Sequence, residues 1–504
     1  MSDRTFDVVV VGGGNAGLCA ALTARERVER VAVVEKAPKA KRGGNSFFTG
    51  GRMRVPHHGL ADLADLFGCE VAELGDVEVD PYPEEAFYDD LQLASRYLCN
   101  EDLARLIASQ ARAGVEWMKS LGAKFELALG HDDIRTGNTL KLIGGDDIQH
   151  YEGGPGLVAT LTRAAEARGI DIFYETAAKR LVRTPSGVEA VVVETADGPV
   201  ELRASAIVMA AGGFEASPTL RTSYLGSGWD LAKVRGTEFN TGDGLLMALD
   251  IGARAYGHWA GCHSVAGDYF APEFADRAHG EFSERVSYRF GISVDRNAKR
   301  YFDEGADLRA FTYAVSGRNI IEAADGFAVQ VFDAKTIDLV RSPYRAFAVT
   351  KTVSDDLRVI ASEMNLDPDA FVETVAEFNR AVQPGEVDFA IRDGKSTTAI
   401  APKKSNWALP LDTPPYTAFP VGPAITFTFG GLRVNTRGEV LDQQDIPVAG
   451  LYAAGEMVGG IYYHNYPGGS GLPSGLVMGR AAGRSAAERA RALSVVAEAP
   501  VHAV

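Results

Sequence analysis

The glycines of Gly12-Gly13-Gly14-Asn15-Ala16-Gly17, with an acid at Glu35, are the first residues in this chain whose types and spacing suggest a particular chemistry. Gly12, Gly14 and Gly17 satisfy G-x-G-x-x-G. The first allows a tight turn out of a strand, the second lets the backbone approach a pyrophosphate, and the third lets a helix pack closely on a sheet. The amides opening that helix, with their partial positive charge, suit phosphates. Glu35 follows Gly17 by 18 residues and ends the next apolar run, where a carboxylate accepts hydrogen bonds from ribose hydroxyls. A glycine triplet alone says little in a chain with 55 glycines. Strand before, helix after and acid beyond make it a dinucleotide site; the competing reading is a Gly-rich turn beside an ordinary surface glutamate.

Later turns narrow the dinucleotide. Arg42, Gly43, Gly44, Asn45 and Ser46 place donors on a loop soon after Glu35. Ala210, Ala211, Gly212 and Gly213 follow an apolar run, Thr241 to Gly244 open a helix, and Gly455 with Glu456 follow another strand. Each small-residue turn permits close approach to an extended ligand. No second complete G-x-G-x-x-G follows a strand, so a separate nicotinamide-nucleotide domain is not expected.

The elements that must position these residues show as periodicity. Residues 6–11 read as a buried parallel strand, 18–27 as a helix and 30–34 as a second strand, together a βαβ unit. Residues 101–121 read as an amphipathic helix, with Leu103, Leu106, Ile107, Val115, Met118 and Leu121 on or near one face. A helix is predicted over 156–169, and strands over 171–174, 179–183, 188–195 and 206–209. Residues 255–420, rich in aromatics flanked by charges, read as an irregular inserted domain. Strands resume at 426–434 and 450–454, a helix covers 471–490, and 491–504 read as a frayed tail.

Composition excludes several classes. With 46% apolar and 23% charged residues, the 504-residue chain is globular and long enough for two or three domains. Its net charge of −16, without a basic stripe, argues against nucleic acid and against an anionic membrane face. Cys19, Cys69, Cys99 and Cys262 are scattered without a C-x-x-C, so no zinc, iron–sulfur or attached haem site is expected, and reduced, mostly buried thiols are. Neither a signal-peptide apolar region nor a spanning stretch of ~20 apolar residues is seen, so a cytoplasmic protein is expected.

The segments AAGGF (210–214), NTGDG (240–244) and LYAAGE (451–456) occur in an order and spacing that resembles the flavoprotein subunits of the fumarate reductase/succinate dehydrogenase family. The resemblance covers about residues 5–486. It is closest to tricarballylate dehydrogenase-like proteins, through KRGGNSFFTGGRMR (41–54), WAGCH (259–263), KRYFDEGADLRAFTYA (299–314) and YYHNYPGGSGLPSG (462–475). It implies an α/β fold: a Rossmann-type FAD-binding domain over 1–254 and 421–504, with an inserted α+β capping domain over 255–420. The FAD contacts it implies are Gly12, Gly14, Asn15, Ala16, Glu35, Lys36, Arg42, Gly43, Gly44, Asn45, Ser46, Gly50, Gly51, Ala178, Ala211, Gly212, Gly213, Thr241, Asp243, Gly455, Glu456, Gly471, Leu472 and Ser474. The succinate dehydrogenase type attaches its flavin to a histidine near the position of residues 43–45; none stands there, so non-covalent FAD is expected.

The same resemblance places Arg309 at the family's active-site arginine and His263 at a substrate-contacting histidine. Two positions depart from the fumarate pattern. Where fumarate reductases carry a histidine before the last domain's glycine turn, this chain reads Thr426-Phe427-Thr428-Phe429-Gly430-Gly431, and Tyr466 stands where an arginine clamps a substrate carboxylate. Tyr466-Pro467-Gly468 is instead similar to the tyrosine turn of 3-ketosteroid Δ1-dehydrogenases, which polarises a ketone. The implied reaction is removal or addition of hydrogen across a C–C bond beside a carboxylate or carbonyl, with electrons passing to an external acceptor. The α-proton leaves only if charge growing on the neighbouring oxygen is stabilised, a task for Tyr466, His263 or an arginine. A guanidinium holds its proton at ordinary pH, so Arg309 as an acid would need a relay through nearby acids, for which Asp303, Glu304 and Asp307 are the sequence candidates. Plainer readings remain: Arg309 in a structural ion pair with those acids, His263 as a core histidine, Tyr466 packed on the flavin. Arg52, Arg54 and Arg289 are candidate carboxylate clamps through paired N–H donors, and His464 is a weaker candidate. Two alternatives stand beside a small polycarboxylate substrate: a cyclic-ketone desaturase, and an electron-transfer subunit without substrate chemistry of its own.

Overall fold

The computed structural model describes residues 4–130, 133–143, 145–278, 280, 283–346 and 349–498. Its first unit follows the glycine reading. Strand Arg4–Val11 carries the run Val8 to Val11, each 5% exposed or less, so both faces are covered as in a parallel sheet. Helix Asn15–Arg25 opens directly after Gly14, and strand Val31–Val34 returns parallel to the first.

The larger sheet has eight strands. Ala177–Thr184, Gly187–Thr195, Gly198–Met209, Arg4–Val11, Val31–Val34 and Asp171–Phe173 lie in that order. Strand Gly198–Met209 is parallel to the first strand, and its last residues, Ile207 to Met209, also pair in parallel with Leu451 to Ala453 of Pro447–Ala453. The glycine turn, the 210–213 turn and the 454–456 turn therefore all emerge at the carboxyl ends of adjacent parallel strands, where open α/β sheets bind ligands.

A second, six-stranded mixed sheet is organised by the 17-residue strand Tyr416–Leu432, which pairs antiparallel with the 14-residue strand Ala255–Asp268 and with Ala328–Phe332. This corrects the reading of 255–420 as irregular. These strands lack alternation because long stretches of them are buried on both faces. Tyr416–Leu432 also contains Pro420 and Pro423, which by propensity break a strand, so sequence places its start ten residues late.

The terminal helix, Gly471–Glu498, locks the glycine turn in place. Gly475, Gly479 and Gly483 recur every fourth residue, forming one ridge of small residues. A Cβ at Gly479 would lie 2.4 Å from Ala16 O, and one at Gly483 2.2 Å from Ala20 O, so only glycine lets the two helices approach this closely. Asn15 Nδ2 also donates to Leu472 O at 2.9 Å. The helix continues past the expected 490 to Glu498, correcting the frayed tail over 491–498; the rest of that tail, 499–504, falls outside the described residues. Among the described residues no helix is long and apolar enough to cross a membrane. The four cysteines are free thiols, Cys19 and Cys262 buried, Cys69 and Cys99 half-buried.

Candidate active site

One cavity of about 1970 Å³, open solvent included, runs from the glycine turn to the second sheet. Its lining runs continuously from Gly12 and Glu35 to Arg309 and Arg341, an elongated shape that suits an extended dinucleotide beside a substrate. At its first end the three glycines do separate jobs. A Cβ on Gly12 would meet Ala210 O at 2.2 Å, and one on Gly17 would meet Gly12 O at 2.0 Å, so both are required by the fold. A Cβ on Gly14 would meet nothing closer than 3.6 Å, so that glycine leaves its backbone open to the cavity. Glu35 is held by the amides of Gly13 and Ala37, each at 2.8 Å. Burial raises its pKa, and those two amides oppose the rise. Lys36 Nζ donates to Thr241 Oγ1 and Asp243 Oδ2, both at 2.7 Å, joining the second strand to the TGDG turn.

At the other end the second sheet is bulged. Between His258 and Cys262, strand Ala255–Asp268 slips against its partner, and it slips again between His263 and Ser264, leaving Thr426 of the partner strand unopposed. Such bulges re-aim side chains. His263, 3% exposed, meets Tyr313 and Tyr466 edge-on with ring centroids at 4.9 and 4.8 Å, and Phe427 lies 5.5 Å away. Burial first, then the charges of Arg235 and Arg309, hold its imidazole well below the ordinary histidine range, so it is neutral. Tyr466 Oη accepts from Gly471 N at 2.9 Å, which leaves the phenolic proton available to another acceptor. Burial raises the Tyr466 pKa, keeping that proton in place.

Arg309 begins the short helix Arg309–Thr312 and is 6% exposed. The Tyr466 turn is tied to that helix, since Gly468 N donates to Ala310 O at 3.1 Å and Asn465 Nδ2 to Phe311 O at 2.6 Å. Asp146 Oδ2 sits 2.8 Å from Arg52 Nη1 and 3.8 Å from Arg309 Nη2. Glu284 lies between Arg341 and Arg235, the latter at 3.5 Å. Burial would raise its pKa, but Arg341, Arg235 and Arg309 hold it below the usual carboxylate value. Among the described residues, this end of the cavity gathers four guanidiniums, of Arg52, Arg235, Arg309 and Arg341, against two carboxylates. Such an environment favours an anionic guest.

The structure brings Arg309, His263 and Tyr466 together on the cavity wall, with Gly12, Gly14, Asn15, Ala16, Glu35, Lys36, Gly44, Asn45, Ser46, Gly50, Ala178, Ala211, Gly212, Thr241, Asp243, Gly455, Glu456, Gly471, Leu472 and Ser474. Four predicted contacts lie off that wall. Gly43 packs against Val158 and Gly51 against Gly153, while Gly213 backs onto Glu456 and Thr428. The Arg42 guanidinium turns to Lys39 O at 2.8 Å. Of the candidate clamps, Arg52 is on the wall. Arg54 is buried against Tyr82, Asp90 and Gly468 O, and Arg289 stacks over Phe290. His464 packs on His258, ring centroids 5.0 Å apart. The acids expected beside Arg309 are turned elsewhere: Glu304 to Arg300, Asp303 to Ser405 and Asp307 to Arg392. Asp146 and Glu284 take their place. Sequence reasoning missed these two, with Arg235 and Arg341, because nothing local separates a buried arginine from a surface one.

The FAD binding domain family (FAD_binding_2) matches residues 7–472. A probable fumarate reductase, Ifc3, of Shewanella frigidimarina is 28% identical over 97% of this chain and 76% of its own length. An NADH:fumarate oxidoreductase of Klebsiella pneumoniae is 27% identical over 97% of this chain and 48% of its own. The chain thus spans about three-quarters of the first relative and about half of the second. The open conformation of a flavocytochrome c3 fumarate reductase superposes with a TM-score of 0.73 at 27% identity, covering 97% of this chain and 79% of that one. The glycine cradle and these likenesses agree: the chain belongs to the FAD binding domain family and is an FAD-dependent oxidoreductase acting on CH–CH groups.

Proposed function

We propose that the protein adds hydrogen to, or removes it from, a C–C bond beside a carboxylate or carbonyl, on a small polycarboxylate of the tricarballylate type, using non-covalently bound FAD. The observation that carries the reading is the set of four arginines around Asp146 and Glu284 at the end of the cavity opposite the glycine turn. Reading 255–420 as a cap over a domain of 1–254 and 421–504 accords with that placement, since Arg309, His263, Glu284 and Arg341 belong to the inserted segment. Bound FAD supplies hydride transfer at its N5. The chain's own residues do the rest. The arginines orient the carboxylates and stabilise charge growing on the oxygen beside the reacting carbon. Arg309, 3.8 Å from Asp146 and within the electrostatic reach of Glu284, is placed to hold or move the proton, and neutral His263 and the phenol of Tyr466 donate hydrogen bonds. Relatives of this architecture include fumarate reductases, which favours a carboxylate substrate. Reducing equivalents pass to or from an external partner.

A second reading, a ketone desaturase, is favoured by Tyr466, whose hydroxyl lies on the cavity wall and, while accepting from Gly471 N, can turn its proton toward a carbonyl. Anaerobic addition of substrates to the yellow holoenzyme separates the two. Bleaching of the flavin by tricarballylate, with no response to cyclic ketones, is expected. If neither class bleaches it, and the reduced enzyme reduces neither class of unsaturated partner, the protein is an electron-transfer subunit instead.

A further inference from the structure

We propose that Glu215 and Glu456 hold a single proton between them against the cavity wall, and that this proton must be in place for the flavin nucleotide to be retained. The second half of the proposal rests on the cavity being the FAD site. Glu215 lies in the turn after strand Gly198–Met209 and is fully buried, while Glu456 follows strand Pro447–Ala453 and lines the cavity. One oxygen of each carboxyl already has donors. Glu215 Oε1 accepts from the side-chain amides of Asn45 and Asn240, both at 2.6 Å. Glu456 Oε1 accepts from Thr428 N at 2.7 Å and from Thr428 Oγ1 at 3.1 Å. The remaining Glu215 oxygen, Oε2, is buried without a hydrogen-bond partner, and the Glu456 carboxyl is within hydrogen-bonding reach of the Glu215 side chain.

Two neighbouring carboxylates, one fully buried and the other half-buried on the cavity wall, repel, and one proton converts that repulsion into a hydrogen bond. The charged and titratable groups facing the pair from neighbouring elements are Arg221 and the buried thiol of Cys262. Arg221 directs its donors to the carbonyls of Glu215, Trp229, Asp230 and Ala232 rather than to a carboxylate. Burial raises Glu215, and burial followed by the charge of Glu215 pushes Glu456 well above the ordinary range, so the two titrate as a unit. Asn45 and Thr428, which grip the pair, also line the cavity, and Asn45 Oδ1 accepts from Thr237 N at 2.9 Å. Loss of the proton would set a second negative charge behind a wall that faces an anionic nucleotide, and would strain the contacts shaping that wall. Proton retention and nucleotide binding therefore favour each other.

The sign follows from the raised values. For folding, the pair's contribution is full below the ordinary carboxylate pKa and is lost as pH rises through the raised one. For FAD, affinity is constant while the free protein keeps the proton and falls once pH passes the free protein's raised value while the complex still holds it. Flavin-free protein is titrated with FAD, followed by flavin fluorescence, from mildly acidic to alkaline pH. The dissociation constant is expected to climb by up to about tenfold per pH unit once the shared proton is lost. Glu215→Gln, whose amide donates where the proton lay, should flatten the climb, and Glu456→Gln repeats the test from the other side if the first variant folds poorly. A flat wild-type profile, or a climb that survives in both variants, overturns the linkage. Infrared spectra of the flavin-free protein should show a protonated-carboxyl C=O band that Glu215→Gln removes; a wild-type spectrum without it overturns the shared proton. FAD that fails to bind at any pH would refute the cavity reading and the linkage with it, while the infrared band would still decide the proton.

Discussion

At the residue scale the site turns on which groups are charged. Arg309→Ala should lower turnover by about 10²–10³-fold, the usual cost of a lost oxyanion donor, while the purified enzyme stays yellow. Unchanged turnover would remove Arg309 from the reaction. Tyr466→Phe distinguishes the substrate readings: a carboxylate substrate held by arginines should lose little, whereas a ketone polarised by the phenol should lose as much as the Arg309 variant does. In the proposed reaction His263 acts as a neutral donor. Its depressed pKa means that the stability it lends is full above the ordinary value near 6.5 and is lost progressively as pH falls from there through the depressed one. The turnover profile should therefore show no step near the ordinary histidine pKa, and a step there that His263→Gln abolishes would contradict the neutral assignment.

At the element scale the close helix pair sets the cofactor turn. Gly479→Ala should place a methyl 2.4 Å from Ala16 O and force helix Gly471–Glu498 away from Asn15–Arg25. A loss of about 1–3 kcal/mol, typical of overpacking, is expected from urea unfolding, with weaker FAD retention because Asn15 and Leu472 separate. Full stability and full flavin content would show that the crossing has slack. The bulged strand pair acts similarly at the other end. Cys262 and His263 face Thr428 and Phe427 only because three residues, Trp259 to Gly261, are looped out of register. Neither bulge has a signal in the sequence, since a register shift is a property of two strands, not one.

At the scale of the whole molecule, the cavity is walled by both sheets, so a ligand that fills it holds them together. FAD at a hundredfold excess over its dissociation constant should stabilise the protein by about 2.7 kcal/mol. Calorimetry of flavin-free and reconstituted protein measures this, and an unshifted transition would mean that FAD does not bind the native state preferentially. The overall negative charge and the locally positive arginine end of the cavity are compatible because Arg235, Arg309 and Arg341 are buried, Arg52 is nearly so, and all act at short range, whereas the acidic surface is screened within about 8 Å at physiological salt.

By itself the sequence determined the βαβ unit, the glycine turn with Glu35, and the order of the later small-residue turns, because those are local. Strand, turn and helix there are contiguous, and each glycine answers a contact within the same unit or the strand beside it. Arg309, His263 and Tyr466 were legible only as positions resembling a family pattern. Tertiary structure decided what surrounds them. Asp146, Arg235, Glu284 and Arg341 converge from distant segments, and Glu215 meets Glu456 across 240 intervening positions. Whether an arginine is a surface charge or an anion clamp, and whether two glutamates are solvated or share a proton, depends on burial and on partners remote in the chain. Neither is encoded in local residue spacing.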